Sequence, residues 1–217
     1  MKLIGTHLSP FLLRTLFCAR LKGVEIPTEP PTSDTHSPEF RKVNPLGKVP
    51  VLIDGDFVLP ESAAICEYLE DKLPGRSIWP LDLQARARAR MLCEIIDLYL
   101  FMDMCNCFFP DMAPGPFKGA PERVATWLDA IEFYLRPDSR WLAGEQPSMA
   151  DVCMATTLFY FDAVGGPYGG PAWLALRPRL ASWWARAKAD PALARIYDEQ
   201  RIAFEAQMAG QSLDTGH

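Results

Sequence analysis

Up to about residue 80 the chain is written in short apolar runs broken by turn signals; beyond it, apolar residues recur every three or four positions over longer stretches. The first pattern belongs to strands mixed with helices, the second to helices alone. Residues 2–5 read as a strand and 10–22 as a helix that stops at Gly23. Residues 24–29 form a second strand candidate, followed by a polar, Pro-rich loop over 30–38 and a brief helical turn over 39–43. The runs 49–53 and 57–59 flank Asp54-Gly55-Asp56, an Asp-Gly hairpin signal. Residues 61–72 then place Ala64, Ile65, Tyr68 and Leu69 at helical spacing, giving the order β-α-β-α-β-β-α. After the linker 74–80 the pattern predicts one long helix over 84–109 and shorter ones over 121–135, 150–164, 178–189 and 191–208, with Pro and Gly clusters at 110–116 and 165–171 between them. The expected architecture is an α/β domain with a mixed four-stranded sheet over residues 1–76, followed by an all-helical domain over 84–217.

Composition narrows the partners. The chain has 217 residues, 49% of them apolar, enough to bury a core in each of two small domains. A formal net charge of −5 argues against a nucleic-acid footprint, which relies on clustered Lys and Arg. The most apolar long stretch, 95–109, is interrupted by Asp97, Asp103 and Asn106 and falls short of the roughly 20 residues that span a bilayer. One Lys and a few apolar residues precede Thr6, His7 and Ser9, which is no signal-peptide core, so a cytoplasmic location is expected. The six cysteines all fall in helical stretches and none forms a C-x-x-C pair, so they read as buried, reduced thiols. The few histidines are not spaced near a Cys, and no metal site is expected.

Three short motifs carry candidate chemistry. Ser9 stands between the first strand and a helix opening at Pro10; there it either caps the helix or donates a hydrogen bond to a ligand thiolate in the positive field of the helix N-terminus. In Asn44-Pro45-Leu46-Gly47-Lys48-Val49-Pro50, Pro50 must sit at a strand start or edge. If its peptide bond is cis, the Val49 N–H and C=O turn outward to pair with an extended peptide; otherwise the segment is a tight turn. Glu61-Ser62 is either an ordinary helix start or a receptor for an amino-acid end, with the hydroxyl and amide of Ser62 taking a carboxylate and Glu61 balancing an ammonium. Together these point to a peptide-like thiol ligand. Ser148-Met149-Ala150-Asp151 reads as a capping box of structural value only.

Ser9-Pro10-Phe11 with Arg14, V-N-P-L-G-K-V-P-V-L at 43–52, Glu61-Ser62-Ala63-Ala64-Ile65, and Leu142-Ala143-Gly144-Glu145 ahead of the capping box resemble, in order and spacing, the soluble glutathione transferase family. The resemblance implies a thioredoxin-like N-terminal domain, an all-helical C-terminal domain and a homodimer. It implies that Ser9 hydrogen-bonds the glutathione sulfur, that Val49 and Pro50 bind the cysteinyl backbone, and that Glu61 and Ser62 bind the γ-glutamyl end. Lys48 matches a position that contacts the glycyl end, and His36 resembles a glycine-carboxylate ligand, with a solvated loop histidine as the alternative. No Cys precedes Cys18, His7 stands where tyrosine-type classes carry Tyr, and a Ser-Ser-Cys motif is absent. What survives is serine-type chemistry of the bacterial-like, theta, phi or tau sort.

In that family the acceptor substrate lies between the domains, which here points to Phe11, Met104, Cys107, Phe108 and Met112 as an apolar pocket; core packing explains the same residues. The expected activity is conjugation of glutathione to small hydrophobic electrophiles. Glutathione-dependent peroxide or disulfide reduction, with Cys105 and Cys107 as the feature to check, and a non-catalytic binding relative are the alternatives.

Overall fold

The computed structural model describes residues 1–109, 118–166 and 172–210. Its first half is built on a four-stranded sheet of order β2-β1-β3-β4, with strands β1 (Lys2–Ile4), β2 (Thr28–Glu29), β3 (Val51–Asp54) and β4 (Phe57–Pro60). β1 runs parallel to β2 and antiparallel to β3, and β3 and β4 form the Asp-Gly hairpin. Helix α1 (Pro10–Leu21) buries most of its length, with Leu12, Leu13, Leu16 and Phe17 inaccessible, and packs beside α3 (Ser62–Lys72). The short α2 (Pro38–Arg41) starts where Ser37 accepts the Phe40 N–H (3.2 Å).

β2 is shorter than the run 24–29 predicts. Pro27 has no N–H for a ladder and contributes only its carbonyl, which accepts from Leu3 N (2.8 Å), while Val24 N turns back to Ala19 O (3.0 Å) to close the end of α1. The register aligns Glu29, Ile4, Val51 and Pro60 in one row. β1, β2 and β4 end at that row and β3 begins there, so the segments 5–9, 30–37, 44–50 and 61–62 all leave the sheet at the same end.

The helical part comprises α4 (Leu83–Ile95), a π-helical turn (Ile96–Leu100), α5 (Phe101–Phe108), α6 (Ala120–Tyr134), α7 (Met149–Ala163), α8 (Ala172–Ala175), α9 (Pro178–Ala189) and α10 (Pro191–Met208). The sequence pattern predicts 84–109 as one unbroken α-helix; the π turn divides it and keeps a single face inward, with Leu92, Ile96, Leu100 and Met104 buried at steps of four. α8 was not foreseen. α7 is buried continuously from Met149 to Phe161 and packs against α4, the π turn and α9, consistent with its all-round apolarity. Its start is fixed by Asp151, which accepts from the Ser148 amide (2.8 Å) and hydroxyl (2.9 Å), Leu142 N (3.0 Å) and Trp183 Nε1 (2.7 Å). Burial pushes its carboxyl pKa up, against these donors that favour the ionised form.

The chain divides into two compact units, Met1–Ile78 with the described residues from Arg195 onward, and Trp79–Ala194. The contacts thus divide the chain differently from the boundaries 1–76 and 84–217 expected from the sequence. The linker belongs to the first unit because Glu70 accepts from Ser77 Oγ (2.5 Å) and Ile78 N (3.1 Å) and pairs with Lys22 (2.6 Å). Most of α10 belongs there too: Glu199 holds both terminal nitrogens of Arg20 (2.8 Å each), Arg195 pairs with Glu25 (2.6 Å), and Ile196 and Gln200 are buried.

Candidate functional site

Four neighbouring strands span roughly 14 Å, and an extended tripeptide reaches about 10 Å along its backbone. The end of the sheet where the four segments emerge is therefore wide enough to face a peptide of three residues. Ser9 is half-buried and caps α1: its Oγ accepts from Leu12 N (3.3 Å). A hydroxyl that accepts in this way still has its hydrogen to donate. Both readings of Ser9 are thus compatible in one geometry.

The Val49–Pro50 peptide bond is cis, as the first of the two sequence readings required. Val49 is half-buried, and neither its N–H nor its C=O is engaged by the described residues. The loop before it is shaped by Asn44, which is buried, accepts from Leu46 N (3.1 Å) through Oδ1 and donates to Lys48 O (2.7 Å) through Nδ2. Gly47, at φ 65°, lies so close to the 30–37 loop that a Cβ there would meet the Thr35 carbonyl at 2.9 Å. Arg41 bridges the same two loops, donating to the carbonyls of His36 and Pro45 (3.3 Å each). Asn44 and Arg41 were missed as organisers; Asn44 lies in the motif that was singled out, while nothing in the sequence marks Arg41. Lys48 and His36 are exposed, with the His36 amide on Asp34 (2.8 Å).

Glu61 lies at φ 68° and ψ 110°, a conformation that side chains with a Cβ rarely adopt, and it provides no side-chain cap for α3. The amides of Ser62, Ala63 and Ala64 are consequently left open at the helix N-terminus, and the first hydrogen bond of the helix is Ile65 N to Glu61 O (2.9 Å). Ser62 is buried except for a small part of its surface, and its hydroxyl has no partner among the described residues. This is a helix start with donors and no acceptor. A carboxylate fits it.

The residues expected on the acceptor side fall in both units. Phe11 belongs to the first unit and is half-buried, with the Arg14 guanidinium 4.8 Å from its ring centroid. Met104 and Cys107 are 0% exposed and serve the helical core, the packing alternative of the sequence reading. They lie inward because the π turn holds the phase of the helix. Phe108 packs edge-to-face with Phe161 (ring centroids 5.1 Å apart) and at a tilt against Trp173 (6.0 Å). Met112 lies outside the described residues. Burial pushes the thiols of Cys105 and Cys107 up to about 11, the opposite of what a reactive cysteine needs.

Comparison with known proteins agrees with this geometry. The family model "Glutathione S-transferase, N-terminal domain" matches residues 3–77, and "Glutathione S-transferase, C-terminal domain" matches residues 117–186. Glutathione S-transferase 3 of Zea mays is 30% identical over 206 residues, covering 88% of this chain and 90% of the relative. Glutathione S-transferase 1 of Dianthus caryophyllus is 41% identical over 164 residues, 71% of this chain and 74% of its own. The crystal structure of a tau-class glutathione S-transferase from mango, Mangifera indica, superposes with a TM-score of 0.76 at 27% identity, over 95% of this chain and 97% of that one. The sheet order, the helical second half and the matched sequence together place this chain in the glutathione S-transferase family.

Proposed function

We propose that the protein transfers glutathione to small hydrophobic electrophiles, with the tripeptide laid across the end of the sheet. The observation that carries this reading is the row Glu29–Ile4–Val51–Pro60, which brings together a free hydroxyl donor, an unpaired backbone edge and an uncapped helix start. Ser62 and the amides of α3 hold the γ-glutamyl carboxylate, and Glu61 balances the ammonium. Val49 pairs with the cysteinyl backbone through its open N–H and C=O. His36, on the loop that leaves the far edge strand β2, and Lys48, on the loop that enters β3, hold the glycyl carboxylate. Phe11, beside Ser9 at the start of α1, contributes apolar surface for the electrophile.

Ser9 activates the sulfur by donating to the thiolate. A free thiol titrates near 8.5, and lowering it by about two units takes roughly 2.7 kcal/mol of preferential thiolate stabilisation. A hydrogen bond to a charged acceptor supplies about 1.5–3 kcal/mol. Ser9 and the field of α1 suffice in magnitude, with no general base. A reductase reading through Cys105 and Cys107 loses its support, because both thiols are held protonated and they stand two residues apart on one helix. The protein acts as a cytoplasmic homodimer; exposed Leu98, Tyr99 and Met102 on the π turn and α5 offer apolar surface for a second copy. Steady-state assays with a panel of aryl halides, enones and hydroperoxides test the activity: conjugation should exceed peroxide reduction. Saturable glutathione binding with no turnover of any electrophile would instead identify a binding relative.

A further inference from the structure

The loop after α6 and helix α9 as far as Arg186 border an open concavity of about 420 Å³ within the helical unit, lined by none of the residues assigned to glutathione. Its wall carries Arg136, Arg140, Arg179 and Arg186 against two carboxylates, Asp138 and Glu145. In a chain of net charge −5 this is a local reversal of sign.

Two of these arginines are neutralised. Arg136 pairs with Asp138 (2.8 Å), and Arg179 pairs with Glu132 (3.2 Å) while donating to Leu135 O (2.7 Å). The other two are not. Arg186 donates to the main-chain carbonyl of Arg140 (3.1 Å) and to Ser182 Oγ (3.0 Å), both neutral acceptors. Among the described residues, neither Arg140, Arg186 nor Glu145 forms an ion pair. The bond from Arg186 to the Arg140 carbonyl ties Arg186 to the loop that carries Arg140, so the concavity holds two guanidiniums that pair with no carboxylate and a single carboxylate, Glu145, that pairs with neither, an excess of one positive charge among these three. The amides of Arg179 and Leu180 at the start of α9 are already taken by Glu132 (3.1 and 2.8 Å), so the guanidiniums, not the helix terminus, are what an anion would meet.

We infer that this cavity binds a phosphate group, free or esterified to a small organic molecule, through Arg140 and Arg186. A guanidinium presents its N–H donors as a planar fork that matches the oxygens of a phosphate, and two forks satisfy more of them than one. The volume lies in the range of about 300–1,000 Å³ typical of small-molecule sites, which leaves room for an organic moiety beside the phosphate. Trp183, whose Nε1 is anchored on Asp151 (2.7 Å), gives the cavity a fixed floor.

The test is calorimetric titration at low ionic strength with inorganic phosphate and with phenyl phosphate, on protein saturated with glutathione. Saturable binding is expected. It should weaken at least about tenfold, or about 1.4 kcal/mol, in Arg140→Gln and in Arg186→Gln. Arg140 is exposed, so its substitution leaves folding intact, and circular dichroism checks Arg186→Gln. The ratio of the two affinities tells a free phosphate from an ester as the preferred ligand. Absence of saturable binding, or equal binding by wild type and both arginine variants, overturns the inference.

Discussion

The Ser9 hydroxyl accepts from Leu12 N and keeps its hydrogen for a ligand, and that hydrogen bond is worth more against a thiolate than against a neutral thiol. Ser9→Ala is therefore expected to cost the cap of α1, about 1 kcal/mol, and to raise the pKa of bound glutathione toward its free value. The ultraviolet absorbance of the bound thiolate, titrated for wild type and variant, reads this directly; coincident curves would assign the activation to another group. The turnover deficit should shrink at alkaline pH, where the thiol ionises unaided. In the proposed placement Ser62 meets the end of glutathione remote from the sulfur, so Ser62→Ala should weaken glutathione about tenfold, the value of a hydrogen bond to a carboxylate, with the thiol pKa nearly unmoved. A pKa shift as large as that of Ser9→Ala would contradict the separation of binding from activation.

At the scale of elements, Asp151 is the residue on which most depends. It serves donors from the Trp141–Gly144 segment, the start of α7 and α9 at once. Asp151→Ala leaves buried N–H groups without an acceptor, each worth about 1–3 kcal/mol, and should lower the unfolding free energy by about 3 kcal/mol or more in chemical denaturation. A loss below about 1 kcal/mol would mean that water replaces the carboxylate. The cap itself was legible in Ser148 and Asp151, which are close in sequence; the bond to Trp183 was not, since no local pattern records a partner 32 residues away. The same divide runs through the rest of the fold. Pro10, Gly23 and Asp54-Gly55 set element ends by local backbone chemistry, and those ends were read correctly. The π turn, the loss of residues 24–27 from β2 and the inward turn of Met104 and Cys107 depend on packing, which an apolar pattern alone does not rank. In the candidate site, the positions of Ser9, Pro50 and Ser62 were legible because local backbone chemistry marks them, two at helix starts and one at a strand start. Arg41, which acts across two loops, was not.

On the scale of the molecule, the exposed Leu98 and Tyr99 should be covered by a second copy. Sedimentation at micromolar concentration is expected to give a dimer, and Leu98→Asp with Tyr99→Asp to give a monomer; a monomeric wild type would remove the homodimer. Folding of the first unit also carries a pH dependence. Burial holds the His7 imidazole below its ordinary value of 6.5, opposed in part by the charge of Glu199. The unfolded chain thus takes the proton more readily, so the contribution is complete above about pH 6.5 and is lost as the pH falls through the folded value. His7→Asn should flatten the decline of stability below pH 6.5, measured by denaturant titration across that range; an identical slope would assign it to the carboxylates. The first unit also has a discontinuous chain, closed by α10 after the whole of Trp79–Ala194. On the ribosome, Arg20 and Glu25 are therefore made more than a hundred residues before Glu199 and Arg195. At about 5–20 residues per second this is a wait on the order of ten seconds, so every residue of the proposed glutathione site is translated well before the clasp at the C-terminal end of α1 can close.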